Sequence, residues 1–214
     1  MQVDNFEQFI SSLSGAIQSP PGMDAYELMM PEIRKRFKNL DVSKIEGAKL
    51  SSVLMLLYHD NGKVYLPLTK RHDYKGTHGG QISLPGGKHE EGDDSRIATA
   101  LREAEEEVGV AKNTIEVVGT LSEIYIPPSN FKVLPVVGIH SGKPNFVREE
   151  FEVEEIIEAE LYDFLDHGNR KSKDIEVRGG VLRDVPYFEI QGHVVWGATA
   201  MMMSELIYIL ENID

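Results

Sequence analysis

The sequence predicts an α/β layered sandwich on a mixed sheet, preceded by an N-terminal helical extension. Three observations carry this. Residues 51–58 and 63–69 read as strands joined by Asp60-Asn61-Gly62, a hairpin-turn signal. Residues 94–109 place Ala98, Leu101, Ala104 and Val108 at helical spacing, with carboxylates on another side. Residues 197–211 form a mostly apolar closing helix with Met201, Met202, Met203, Leu206, Ile207 and Leu210, and its methionine cluster reads as core.

In chain order, Phe6, Phe9, Ile10, Leu13 and Ile17 sit at helical spacing, with Asp4 as the expected N-cap. Pro20-Pro21-Gly22 breaks that helix, and residues 25–37 predict a second one ending in Arg34-Lys35-Arg36. Residues 1–48 are thus an N-terminal helical extension, and 49–214 the main domain. After the hairpin, 71–84 is a long loop containing Gly and His, leading into a glycine turn and the acidic helix. Further strands are expected at 114–123 and 132–140, separated by the proline-rich loop 126–130. A strand at 150–159, a short helix at 161–165 and short strands at 181–183 and 187–190 complete the sandwich.

Composition excludes several classes of function. At 214 residues the chain can bury a substantial core. Its net charge of −13 argues against general binding to nucleic acid or anionic membrane. With no Cys, disulfides, thiol chemistry and thiolate zinc sites are excluded. The N-terminus lacks a basic segment followed by an apolar run, and no apolar stretch approaches a membrane span, so a cytoplasmic protein is expected.

The chemistry is concentrated in residues 86–110, GGKHEEGDDSRIATALREAEEEVGV. Glu103, Glu106 and Glu107, at i, i+3 and i+4, share one side of the helix. Like charges so placed repel unless cations lie between them. Hard divalent ions such as Mg²⁺ take carboxylate and carbonyl oxygens and bridge to phosphate. A glutamate-rich run is ordinarily a solvated helix face. The joint pattern separates this one, because it resembles the Nudix box of pyrophosphohydrolases, G-x5-E-x7-R-E-U-x-E-E-x-G-U, with U a bulky aliphatic residue. Gly87, Arg102, Glu103, Glu106, Glu107, Gly109 and Val110 match it in order. Asp93 stands where the first Glu is expected, with eight residues rather than seven before Arg102, and Asp94 restores the seven-residue gap but lengthens the first. Ala104 occupies the first U position.

The segment before the box is similar to the signature of coenzyme A pyrophosphatases, L-L-T-x-R-[SA]-x3-R-x3-G-x3-F-P-G-G. It reads Pro67-Leu68-Thr69-Lys70-Arg71, then Gly80-Gln81-Ile82-Ser83-Leu84-Pro85-Gly86-Gly87, with the spacing kept. Pro67 stands for the first Leu, His72 for the small residue, Gly76 for the second Arg and Leu84 for Phe. Residues 121–138, 152–165 and 196–200 are similar to the same group, so the resemblance covers about 50–210.

The resemblance implies a Nudix-type α/β/α sandwich that cleaves a nucleoside diphosphate derivative by attack of water on phosphorus. Coenzyme A or its esters is the expected substrate, giving 4′-phosphopantetheine species and adenosine 3′,5′-bisphosphate. The alternatives are ADP-ribose, NADH or a related dinucleotide, and a non-catalytic nucleotide sensor. Mg²⁺ or Mn²⁺ is the implied cofactor, with Glu103, Glu106, Glu107 and the Gly87 carbonyl as ligands. Arg102 is read as a pairing residue that orients the glutamates. Lys70, Arg71, Gly86 and Gly87 are the candidate substrate contacts, and Glu152 and Glu155 the candidate bases. The expected partner is a small molecule, neither nucleic acid nor membrane, with a homodimer left open.

Other residues point less strongly. The seven histidines include no H-x3-H pair suited to zinc. His72, His78 and His89 flank the expected cleft, and Trp196 reads as core or as an aromatic near it. Ser83 and Ser129 lack a nearby His/Asp set for nucleophilic catalysis.

Overall fold

Asn61 and Gly62 both take left-handed backbone, with φ of 48° and 79°. That geometry matches the twist of a two-residue hairpin, so the chain reverses between β1 (Lys49–Asp60) and β2 (Lys63–Arg71), pairing Asp60 with Lys63. This computed structural model describes residues 5–37, 40–72, 79–177 and 179–213.

Past the hairpin, β1 and β2 diverge, and the segment 82–88 fills the wedge between them. Its first half, β3 (Ile82–Ser83), pairs with β2, and its second, β4 (Gly86–Lys88), pairs with β1. The acidic helix α3 (Arg96–Val108) follows, then β5 (Ile115–Thr120), β6 (Ile124–Ile126) and β7 (Phe131–His140). β7 runs parallel to β1 and is antiparallel to β5 and β6. β8 (Val153–Glu160) pairs antiparallel with β2. The expected mixed sheet is therefore an eight-stranded one, ordered β3-β2-β1-β7-β5 with β4, β6 and β8 off that path.

Alternation along β1 divides the core. Leu54 and Leu56 face Ala100, Ala104 and Val108 of α3, while Met55 and Leu57 face the opposite layer. That layer holds α5 (Gly197–Glu211), whose Met201, Met202 and Met203 are all buried. Between β8 and α5 lie the short helix α4 (Leu161–Leu165) and a second antiparallel sheet, β9 (Arg170–Val177), β10 (Gly180–Ile190) and β11 (His193–Trp196). The two short strands expected at 181–183 and 187–190 are one bulged strand, β10.

At the N-terminus, α1 (Phe6–Ala16) is capped by Asn5, whose side chain accepts from the Gln8 N–H at 3.0 Å. The expected cap, Asp4, lies outside the described residues. The second expected helix is broken into α2 (Met23–Tyr26) and two 3-10 turns, Glu27–Met29 and Glu32–Phe37. Pro31 explains the break. It offers no N–H and forces Met30 into extended backbone. The buried Glu205 carboxylate holds this segment to α5. It accepts from the Gly22 N–H at 2.7 Å, the Tyr26 hydroxyl at 3.1 Å and the Ser122 N–H at 3.1 Å. Among the described residues no helix is long and apolar enough to cross a membrane.

Candidate active site at the acidic helix

Two devices orient α3. Ser95 caps it, accepting from the Ala98 N–H at 3.1 Å. Arg96 then reaches across β1, donating to the Ser52 hydroxyl at 3.0 Å and to the Ser51 and Lys132 carbonyls, and pairs with Glu123 at 2.9 Å. Gly109 ends the helix in left-handed backbone.

Asp93 fills the acidic-loop position and works as a brace. Its carboxylate takes Arg102 Nε at 2.8 Å and Nη2 at 3.1 Å, the Thr99 hydroxyl at 2.9 Å and the Glu90 N–H at 3.1 Å. The Arg102 hydrogen bonds, with the others, hold its carboxyl well below the usual carboxylate range. Arg102 pairs also with Glu103 at 2.9 Å and Glu106 at 2.9 Å. One guanidinium thus ties the loop acid to two glutamates of the helix.

The three glutamates meet different surroundings. Glu107 is buried, accepting from the Gly86 N–H at 3.1 Å, with Arg71 Nη2 at 3.5 Å. Burial, then the charges of Glu103 and Glu152, push its carboxyl up to about 7 against the opposing pull of Arg71 and the Gly86 N–H. Glu103 is largely buried and is also raised, by burial first and then by Glu106 and Glu152, with Arg102 opposing. The Glu106 side chain is 57% exposed and faces solvent beside Arg102.

The glycine turn is shaped to these carboxylates. A Cβ on Gly86 would collide with the Ser52 carbonyl and Val53, so only glycine brings this N–H to Glu107. A Cβ on Gly87 would collide with the Glu103 carboxyl group. Gly86 is buried, so its N–H serves Glu107, while Gly87 is half-buried against Glu103.

The remaining candidates separate. Arg71 joins the carboxylates through Glu107. Lys70 is placed elsewhere, paired with Glu154 at 2.6 Å and lining a groove of about 350 Å³ with His193 and Trp196. No carboxylate of α3 lines that groove. Of the two candidate bases, Glu152 acts electrostatically on both Glu103 and Glu107, whereas Glu155 lies 3.7 Å from His193. His72 contacts the Glu150 carbonyl at 2.9 Å, and His89 contacts the Thr99 hydroxyl at 2.7 Å. Ser83 contacts the Thr69 hydroxyl at 3.1 Å. His78 and Gly76 lie outside the described residues.

Sequence reasoning missed the brace at Arg96 and the turn at 149–152 that carries Glu152. The only signal for Arg96 was its position one residue after a good N-cap. The turn left none, since its glutamates read as strand.

Among the described residues, no group of three or more His, Asp or Glu side chains is arranged to hold a metal ion. The donor chemistry nevertheless suits a hard divalent cation. Two carboxylates are withdrawn from water and raised by their neighbours, a cost that a bound cation would relieve.

Comparison with known proteins places the chain in a family. Residues 48–177 match the NUDIX domain. The chain belongs to the Nudix hydrolase family. It is 38% identical over 159 residues to Nudix hydrolase 15, mitochondrial, of Arabidopsis thaliana, a match covering 71% of this chain and 55% of that protein. It is also 38% identical over 141 residues to an uncharacterized Nudix hydrolase, NudL, of Yersinia enterocolitica, covering 66% of this chain and 71% of that one. The match spans a little over half the length of the Arabidopsis relative. The fold is shared with the crystal structure of RenU, a Nudix hydrolase from M. smegmatis, with a TM-score of 0.54 and 15% identity, covering 79% of this chain and 90% of that one.

Proposed function

We propose that this chain hydrolyses the diphosphate linkage of a nucleoside diphosphate derivative, with coenzyme A or its esters as substrate. The observation that carries the reaction class is the pair of withdrawn carboxylates, Glu103 and Glu107, set against the Gly86-Gly87 turn. Coenzyme A is supported by the resemblance of residues 67–87 to the coenzyme A pyrophosphatase signature.

Glu103, Glu106, Glu107 and the Gly87 carbonyl would hold Mg²⁺ or Mn²⁺. When bound, such an ion neutralises diphosphate oxygens and lowers the pKa of a water. Arg102, tied to Asp93, Glu103 and Glu106, keeps those carboxylates oriented without touching substrate. Arg71, beside Glu107, would meet a phosphate oxygen with a charge-assisted hydrogen bond. Glu152 is exposed, its charge bears on Glu103 and Glu107, and it takes the proton of the attacking water. The water oxygen bonds to one phosphorus, the bridging P–O bond breaks, and the other phosphate leaves carrying the bridging oxygen. Both products are phosphomonoesters.

A substrate panel of coenzyme A, dephospho-coenzyme A, ADP-ribose and NADH, each in Mg²⁺ and in Mn²⁺, tests this. Coenzyme A should exceed ADP-ribose in kcat/KM. Because Gly76 stands where the signature has Arg, coenzyme A and dephospho-coenzyme A should be turned over similarly. Gly76→Arg should then favour coenzyme A by roughly ten- to a hundred-fold, the worth of one charge-assisted hydrogen bond. A clear win for ADP-ribose or NADH moves the substrate to those dinucleotides, and no turnover of any member refutes the hydrolase.

A further inference from the structure

The turn that carries Glu152 has a second feature. Its backbone is pinned from both sides. Val147 and Glu149 donate to the Val108 and Glu107 carbonyls at the end of α3, each at 3.0 Å. His72, just past β2, contacts the Glu150 carbonyl. The Glu149 carboxylate closes the turn from within, accepting from the Phe151 N–H at 2.9 Å and the Glu152 N–H at 2.7 Å. Arg148 holds the Val153 and Glu154 carbonyls. A turn so fully satisfied needs no apolar side chain, yet at its tip Phe151 is 91% exposed. Two residues of chain span at most about 7 Å. Phe151 is two residues from Glu149, whose N–H is bonded to the Glu107 carbonyl at the end of α3, and it directly precedes Glu152 in the chain.

We propose that Phe151 is a stacking platform for the aromatic base of the substrate, presented by a rigid turn at the mouth of the site. This rests on the proposed diphosphate hydrolysis and adds the residue that reads the nucleoside. A flat apolar ring on a fixed backbone offers an aromatic base a π-face at little entropic cost. The charge of the neighbouring Glu152 bears on Glu103 and Glu107. One turn would thus carry both the platform for the base and the acceptor of the water's proton. The platform sets affinity and leaves the chemical step untouched.

The test measures kcat and KM of the full chain and of Phe151→Ala, Phe151→Leu and Phe151→Trp. The substrates are coenzyme A or ADP-ribose, whichever the wild type turns over faster, and its analogue lacking adenine. Loss of the stack should raise KM about five- to a hundred-fold in Phe151→Ala, with kcat unchanged. Phe151→Leu should be nearly as impaired, Phe151→Trp should keep or lower KM, and all four proteins should share one KM for the abasic analogue. Unchanged KM in Phe151→Ala, equal impairment on the abasic analogue, or a change in oligomeric state that accounts for the loss would overturn the platform and leave the hydrolase standing. Absence of wild-type turnover on any diphosphate overturns both.

Discussion

Glu107→Gln should make the metal-free protein more stable while removing its activity. Burial pushes the Glu107 carboxyl from the ordinary 4.5 up to about 7. Each pH unit of that gap corresponds to about 1.4 kcal/mol, so holding the charge costs the fold roughly 3 kcal/mol at pH 8. Glutamine removes the charge and still accepts from the Gly86 N–H, but it sets an amide NH₂ against Arg71, a loss of about 1–2 kcal/mol. The net gain is about 1–2 kcal/mol, or about 3–6 °C in Tm for a chain of this size. The pH dependence has a definite sign. Between pH 4.5 and about 7 the folded protein keeps a proton that the unfolded chain releases, so wild-type stability falls as pH rises through that window and levels off above it. The variant lacks that fall. Thermal melts in a chelator at pH 8 should place Glu107→Gln above wild type, with the advantage gone by pH 4.5. Added Mg²⁺ should raise the wild-type Tm and leave the variant unmoved, and the variant's kcat should drop on the order of 10³-fold or more. A variant that melts below wild type at pH 8, or that keeps near-normal turnover, refutes the assignment of a withdrawn, metal-holding carboxylate.

Asp93→Asn should cost about 2–4 kcal/mol at neutral pH in denaturant unfolding, because Arg102 loses its principal partner. Since the Asp93 carboxyl is depressed, that difference should fade as pH falls below the ordinary carboxylate range. Gly87→Ala should fold, because the displaced atoms belong to the flexible Glu103 side chain, yet lose on the order of 10²-fold in kcat/KM from a shift of roughly 1 Å. Glu205→Gln should lower stability by about 1.5–3 kcal/mol and expose residues 5–37 to proteolysis before the rest, since it weakens three hydrogen bonds to one buried carboxylate.

Much of this site was legible because helical spacing and a motif act over short range. The order of Gly87, Arg102, Glu103, Glu106 and Glu107 survives folding as one turn and one helix, and α5 spans the residues 197–211 that its apolar run predicts. What spacing could not tell is which glutamate is buried. Glu107 is withdrawn because Gly86 and Arg71 converge on it from another element, while Glu106, one residue earlier, faces solvent. The ambiguity at Asp93 and Asp94 likewise resolves only through Arg102. The strand β9 carries little sequence signal because RKSKDIEV is mostly exposed and shows no apolar alternation. The β6 strand is three residues long, too short to carry a period. Adjacent Lys70 and Arg71 read as one basic pair, but the irregular β2–β8 pairing between them accompanies quite different surroundings.

The most direct test of the account is turnover of coenzyme A in H₂¹⁸O across a Mg²⁺ titration, with the products weighed by mass spectrometry. The account predicts saturable, Mg²⁺-dependent release of 4′-phosphopantetheine and adenosine 3′,5′-bisphosphate, with one ¹⁸O in one phosphate and no reaction in Glu107→Gln. Cleavage that is independent of the divalent ion or unimpaired in Glu107→Gln, or no cleavage at any Mg²⁺ concentration, would contradict it.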